Sequence, residues 1–163
     1  MGTTEITAVP GQPSIDMHRE FNAPRTLVYR AYTDPALLVQ WIGPRRFKMT
    51  VDRWDPQDGG AWRYTHRDDA GNEFVFHGVF HGAPSPDGMV QTFEFAGAPG
   101  HVSLDWVEFE DRGDKTIVHT HAVHQSVADR DAMIAAGMAS GVDEGNERLD
   151  ELLGSLATNP VSA

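Results

Sequence analysis

A long apolar stripe near the C-terminus constrains the fold of this chain most. Between Val127 and Leu156, apolar residues recur at the three- and four-residue spacing of one helical face, and no proline interrupts them. Ser126 and Asp129 have the spacing of a capping box at the start of this stretch. At about 1.5 Å per residue, the pattern predicts one helix on the order of 40 Å long. Such a helix needs a large partner surface for its apolar face.

Three glycines add a second constraint on this predicted helix. Gly137, Gly141 and Gly145 lie four residues apart and would therefore share one face. Each glycine costs about 1 kcal/mol relative to alanine inside a helix. Their repetition indicates a need for space, either for close approach to a strand or for a ligand.

The residues before the helix predict its partner. From Phe47 to His124, apolar and polar residues mostly alternate between glycine- and aspartate-rich turns, which indicates six antiparallel strands. Residues 14–21 alternate in the same way, and Pro24 and Pro35 each stand where a short helix would begin. The predicted fold is α+β, of the helix-grip type. Its order is a strand, two short helices, a six-stranded antiparallel meander and a long C-terminal helix packed on the concave sheet.

Length, charge and composition limit the classes of function. The 163 residues suffice for one domain, which we place at residues 14–156, between a flexible N-terminus (1–13) and a flexible tail (157–163). The net charge of −11 disfavours nucleic acid or an anionic membrane as a partner. Without cysteines, thiolate chemistry and cysteine zinc sites are excluded. We expect a cytoplasmic protein without a cofactor.

Several short motifs resemble a known superfamily over nearly the whole predicted domain. They are Ala23-Pro24-Arg25, Thr33-Asp34-Pro35, Trp41-Ile42-Gly43-Pro44, Gly59-Gly60, Gly71, Gly78, Thr116, Gly137-Met138-Ala139-Ser140-Gly141 and Arg148-Leu149-Asp150-Glu151-Leu152-Leu153. With these motifs the chain resembles the SRPBCC (START-like, Bet v 1-like) superfamily. Within it, the chain is most similar to the group named after the C-terminal domain of the heat-shock-protein-90 ATPase activator.

This resemblance implies a cavity between the sheet and the long helix that binds a small hydrophobic molecule. Many such proteins are bacterial, and small ones are often dimers, so a homodimer is an expected assembly. The 163 residues are too few to contain the additional chaperone-binding domain of the eukaryotic protein, and we therefore do not expect a chaperone partner. Relatives commonly carry tryptophan where this chain has Val142. Either neighbouring aromatic side chains fill the space or the cavity is larger.

The predicted inward faces provide candidates for the cavity wall. Pockets for small ligands are mostly apolar, with a few polar groups that fix the ligand's orientation. The candidates are Trp41, Trp62, Tyr64, His66, Phe76, Phe80, Gln91, Phe93, Phe95, Asp105, Thr120, Ile134, Met138 and Val142. The alternative is an ordinary filled core.

Three of the inward polar residues are candidates for acid/base chemistry. Asp105 paired with His124 or His66 would form an oriented acid and base, because an inward carboxylate or imidazole must pair with something. The alternative is a register shift that turns these residues to solvent.

The histidines suggest a metal site as a further alternative. His119 and His121 share one strand face, and the pairing expected for this fold brings His18 close to them. Three imidazoles can hold zinc with one position open for water. However, the predicted face points to solvent, and no motif of specific spacing supports the site.

Three functional hypotheses follow from the sequence. The first is a protein that binds a small hydrophobic ligand, with weak acid/base catalysis as an option. The second is a stress-related, co-chaperone-like module that acts through its surface, and the third is a histidine-based metalloenzyme. An open cavity would favour the first hypothesis, and a filled core with an exposed apolar patch would favour the second.

Overall fold

A computed structural model of the protein describes residues 2–158. Its strands are β1 (Glu5–Thr7), β2 (Ser14–Phe21), β3 (Lys48–Trp54), β4 (Ala61–Arg67), β5 (Glu73–Val79), β6 (Gly88–Phe95), β7 (Val102–Arg112) and β8 (Lys115–Val123). Its helices are α1 (Arg25–Thr33), α2 (Pro35–Leu38), α3 (Val127–Ala135) and α4 (Met138–Thr158). The predicted α+β helix-grip fold is confirmed. No helix among these residues is long and apolar enough to cross a membrane.

All strands belong to one antiparallel sheet. Its order is β1-β2-β8-β7-β6-β5-β4-β3, so the meander β3–β8 runs across the sheet and β2 pairs with its last strand. The turns between neighbouring strands use glycines with positive φ, such as Gly59, Gly71 and Gly113. Because side chains alternate along each strand, one sheet face points towards the helices and the other points to solvent.

The N-terminal segment differs from the prediction of a flexible arm. Residues Glu5–Thr7 form β1 and pair antiparallel with β2. Just before β1, the Thr4 hydroxyl oxygen accepts hydrogen bonds from Arg19 at 3.2 Å and from Asn146 at 2.9 Å. A strand of only three residues is too short to show a periodic pattern. At the other end, residues 157 and 158 complete α4, and the rest of the predicted tail lies outside the described residues.

The prediction of one continuous C-terminal helix is wrong, because the structure has two helices, α3 and α4. Ser126 caps α3 as expected, accepting a hydrogen bond from the Asp129 amide at 3.0 Å. The helix then ends at Ala135, with Ala136 as its C-cap, and Gly137 has a φ of 85°. A glycine in this left-handed conformation terminates a helix. The apolar spacing continues across the break because both helices face the same sheet.

The helix–sheet interface is tightly filled at only one end. Leu149, Leu152 and Leu153 of α4 are buried together with Val28 of α1 and Phe109 of β7. Between residues 127 and 144, by contrast, Arg130 is the one buried side chain. The helices α3 and the first half of α4 therefore lie over the sheet without closing onto it.

Candidate functional site

A cavity of about 930 Å³ lies between the concave sheet face and the helices α3 and α4. It occupies the end of the interface where the helices bury few side chains. Its walls come from β2 and β4–β8, from the α2–β3 connection, and from both C-terminal helices. The cavity is therefore a direct result of the incomplete packing between the helices and the sheet.

An aromatic wall covers the β4–β6 side of this cavity. Trp62 and Tyr64 are stacked, with ring centroids 5.2 Å apart and planes 25° apart. Tyr64 lies opposite Phe76 in the strand register, with centroids at 5.5 Å. Phe76 contacts Phe93 at 5.4 Å and Phe95 at 5.2 Å. Most of these rings are only half-buried, because one side of each borders the cavity rather than another side chain.

Polar residues on β6–β8 continue the same sheet face beside the aromatic wall. Ser103 and Asp105 are alternate residues of β7, and Gln91 lies opposite Asp105 on β6. The Ser103 hydroxyl donates a hydrogen bond of 2.9 Å to an Asp105 oxygen. Burial raises the pKa of Asp105 to about 6, although the Ser103 hydrogen bond opposes this shift. Thr120 adds a hydroxyl from β8.

Two buried histidines also line the cavity. Burial, together with the positive charge of Arg148, lowers the pKa of His66 to about 4. Burial likewise lowers the pKa of His124. The Nε2 atom of His124 is buried without a hydrogen-bond partner. Both imidazoles are therefore neutral at pH 7.

The expected acid/base pair does not form among these residues. The hydrogen bond of Asp105 comes from Ser103, and the structure shows no hydrogen bond from His66 or His124 to this carboxylate. His66 instead packs against the rings of Phe47 and Phe76. The inward orientation of the polar residues follows the predicted alternation, but the pattern of a single strand carries no information on which residues pair.

Most of the predicted wall residues border the cavity. They are Trp41, Trp62, Tyr64, His66, Phe76, Gln91, Phe93, Phe95, Asp105, Thr120, Met138 and Val142. The acid/base candidate His124 borders the cavity as well. Phe80 does not, because it is completely buried against Trp54 in the core. Ile134 is a wrong assignment as well: it is 40 % exposed on the outer side of α3, and its neighbour Met133 faces the cavity instead.

Several wall residues of β2 and α3 were not predicted from the sequence. Met17 and Arg19 of β2 border the cavity, and Arg19 forms a partly buried ion pair with Asp150 of α4. The alternation of Ile15, Met17, Arg19 and Phe21 was a usable signal for this face. Ala132 and Met133 could not be assigned to the cavity wall from the sequence, because the break after α3 changes which residues of that helix point inward.

The three glycines serve different purposes. Gly137 ends α3. A Cβ on Gly145 would lie 3.2 Å from the Trp41 carbonyl oxygen and 3.3 Å from the Gly43 nitrogen, so this position allows the α2–β3 connection to approach α4. A Cβ on Gly141 would meet only Pro44, at 3.7 Å. Close packing therefore explains Gly145, and a helix end explains Gly137.

The metal-site histidines lie on the outer sheet face, as the alternation of β2 and β8 predicts. His18 pairs with Glu5 at 2.8 Å, His119 with Glu110 at 2.7 Å, and His121 with Asp16 at 2.6 Å. His18 and His119 are opposite each other, yet each imidazole binds a different carboxylate. Within residues 2–158, no group of three histidine, aspartate or glutamate side chains is arranged to hold a metal ion. The interpretation as surface histidines fits this arrangement.

Comparison with protein families identifies the group to which the chain is related. The model of the family described as Activator of Hsp90 ATPase homolog 1-like protein matches residues 22–154. The chain belongs to this family. The match to the Activator of Hsp90 ATPase homolog 1-like family spans α1 to most of α4 and so includes the elements that surround the cavity, except β2. A search of curated protein sequences finds no match.

Solved structures show the same fold as this member of the Activator of Hsp90 ATPase homolog 1-like family. A Rhodobacter sphaeroides protein aligns with a TM-score of 0.86 and 24 % identity over 94 % of this chain and 100 % of its own. An Arthrobacter aurescens protein aligns with a TM-score of 0.85 and 24 % identity over 93 % of this chain and 91 % of its own. A Mycobacterium smegmatis protein aligns with a TM-score of 0.81 and 21 % identity over 91 % of this chain and 97 % of its own. At these levels of sequence identity, the similarity shows the fold alone.

Proposed function

We propose that the protein binds a small, largely apolar molecule in the cavity between the sheet and the helices α3 and α4. The observation that carries this proposal is the aromatic wall, whose rings border a space of about 930 Å³ instead of packing against the helices. Ligand pockets typically have volumes of about 300–1,000 Å³ and mostly apolar walls. A ligand that covers these rings would remove their remaining apolar surface from water.

Polar side chains in the cavity wall support the same proposal. Gln91, Asp105 and Thr120 border the cavity beside the aromatic rings. Pockets for small ligands combine mostly apolar walls with a few polar groups that fix the orientation of the ligand. These three side chains would orient a ligand that carries a few polar atoms.

The test is thermal unfolding against a panel of fatty acids, steroids and aromatic acids. A ligand that binds only the native protein raises the melting temperature by mass action. Val142 borders the cavity, so Val142→Trp should fill part of it and reduce the ligand-induced shift. Ala139→Trp is the matched control, because Ala139 is exposed on the same helix. A panel without any effect, or a shift that survives Val142→Trp, would argue against the cavity as the binding site.

The pKa of Asp105 favours a second candidate activity on the same ligand. A carboxyl group with a pKa of about 6 can accept and return a proton near neutral pH. The Asp105 carboxylate would take a proton from a C–H bond of the ligand and return it to another carbon of the ligand, which is an isomerisation without a co-reactant. In D₂O the ligand should gain deuterium with the wild-type protein and not with Asp105→Asn, as measured by mass spectrometry.

An exposed apolar patch on the outer sheet face bears on the hypothesis of a surface-acting module. Trp106 is 56 % exposed, and Leu104 and Val123, which lie opposite each other, are 48 % and 37 % exposed. The open cavity nevertheless favours ligand binding over this alternative. We expect Trp106→Ala to leave the ligand-induced melting shift unchanged. A loss of that shift would move the binding site to the outer face.

A further inference from the structure

The cavity contains a carboxylate without a counter-ion. Asp105 points inward, because Ser103, Val107 and Phe109 at alternate positions of β7 are buried on that face. Its one hydrogen bond comes from the neutral Ser103 hydroxyl. Among the described residues, no arginine, lysine or histidine forms an ion pair with it. A carboxylate in an apolar cavity is costly unless a cation or several donors approach it.

The positive charges of the cavity wall are engaged elsewhere. Arg19 pairs with Asp150 and donates a hydrogen bond to Thr4. Arg46 lies over the ring of Phe47, with the guanidinium carbon 4.6 Å from the ring centroid. The remaining negative charge beside the space is Asp129, which pairs with His101 at 2.9 Å. Asp105 therefore keeps its ability to bind a cation that enters the cavity.

Aromatic rings stand close to this carboxylate. Tyr64 is near enough for the charge of Asp105 to contribute to the raised pKa of its hydroxyl, second to burial. Phe93 lies opposite Ser103, one inward position along β6 from Gln91, the partner of Asp105. Aromatic faces attract cations, and a hydrogen bond from a cationic donor to a carboxylate is roughly twice as strong as a neutral one. Carboxylate and rings together form a site for an ammonium group.

We propose that the ligand is a hydrophobic amine, whose protonated nitrogen pairs with Asp105 while its apolar body lies along the aromatic wall. This inference rests on the proposed function, because it names the chemical class of the molecule that the cavity binds. A neutral alcohol could donate one hydrogen bond to Asp105 but would leave its charge uncompensated. An anionic ligand would place two negative charges side by side in an apolar space.

The test compares three probes of the same shape: naphthylmethylamine, naphthylmethanol and naphthoic acid. Dissociation constants are measured by calorimetry at about pH 8, where both the Asp105 carboxylate and the amine are charged. For the wild-type protein we expect the amine to bind at least about tenfold more tightly than the alcohol, and the acid to bind most weakly. Asp105→Asn should abolish this preference for the amine and change alcohol binding by less than about threefold.

Two control variants separate the local charge from other effects. Asp143→Asn removes the same charge from an exposed position of α4 and should keep the preference for the amine. Ser103→Ala removes the hydrogen bond to Asp105 but keeps its charge, so it should keep or increase the preference. If Asp105→Asn does not fold, the comparison of the three probes on the wild-type protein still tests the proposal.

The outcomes distinguish this inference from the proposed function. If amine and alcohol bind equally, or if the preference survives Asp105→Asn, the inference of an amine is wrong while the cavity still binds apolar molecules. Tightest binding of naphthoic acid would overturn the inference in the same way. If none of the three probes binds, the inference fails together with the proposed function.

Discussion

Asp105 makes the stability of the protein depend on pH in an unusual direction. Its folded-state pKa of about 6 lies above the ordinary value of 3.8. Folding therefore favours the protonated form, and the ionised form destabilises the native state above pH 6. We expect Asp105→Asn to be more stable than the wild type by about 1–3 kcal/mol at pH 8. The difference should shrink as the pH falls from 6 towards 4, as measured by urea unfolding.

His66 should act in the opposite direction on acidification. Its folded-state pKa of about 4 lies below the ordinary value of 6.5, so the native state binds this proton more weakly than the unfolded chain does. The resulting stability is present above pH 6.5 and is lost as the pH falls towards 4. When the pH falls from 6.5 to 4, we expect the free energy of unfolding of His66→Phe to decrease by about 2 kcal/mol less than that of the wild type. Equal losses in urea unfolding would show that His66 is not the acid-sensitive group.

At the scale of single residues, the sequence predicted the direction in which side chains point better than the partners to which they bond. The period-two pattern predicted that Trp62, Tyr64 and Asp105 point towards the helices, and all three border the cavity. The hydrogen bond between Asp105 and Ser103 was not predicted, although it joins alternate residues of one strand. A hydrogen bond depends on side-chain rotamers and on distances of a few ångströms, which alternation alone does not determine.

At the scale of the elements, the break between α3 and α4 can be tested with a matched pair of glycines. Gly137 has a φ of 85°, whereas Gly154 lies inside α4, and a Cβ would meet nothing within 4 Å at either position. Gly137→Ala should therefore destabilise the protein by about 1–2 kcal/mol through backbone strain alone. Gly154→Ala should stabilise it by about 0.5–1 kcal/mol. Urea unfolding measures both values, and a stabilising Gly137→Ala would mean that the helix is continuous.

The same break explains why the element boundaries were only partly predictable. The strands and the Ser126 cap follow from local patterns, and both are present. The end of α3 does not, because Met138 and Val142 continue the apolar spacing of the first helix. An isolated glycine is tolerated within helices, so its left-handed conformation here depends on the tertiary fold. The displacement of Ile134 from the cavity wall follows from the same missed break.

At the scale of the whole molecule, the two ends of the helix–sheet interface should differ in local stability. The segment from 127 to 144 buries one side chain, Arg130, while Leu149, Leu152 and Leu153 anchor the second half of α4. Regions with few buried apolar contacts open more readily. Amide hydrogens of α3 should therefore exchange faster than those of residues 149–156 in hydrogen-exchange mass spectrometry. A bound ligand should slow the exchange in α3 selectively. Equal exchange rates in both segments of the free protein would contradict the expected difference in local stability.

The placement of the tryptophans gives the protein an internal optical probe. Trp41, Trp54 and Trp62 all border the cavity, while Trp106 is exposed on the opposite face of the sheet. Indole emission shifts and is quenched when its surroundings change. Light from the first group would therefore report whether the cavity is empty or filled, and Trp106→Phe would remove the background signal from the outer face. Candidate molecules could then be screened in solution without a label.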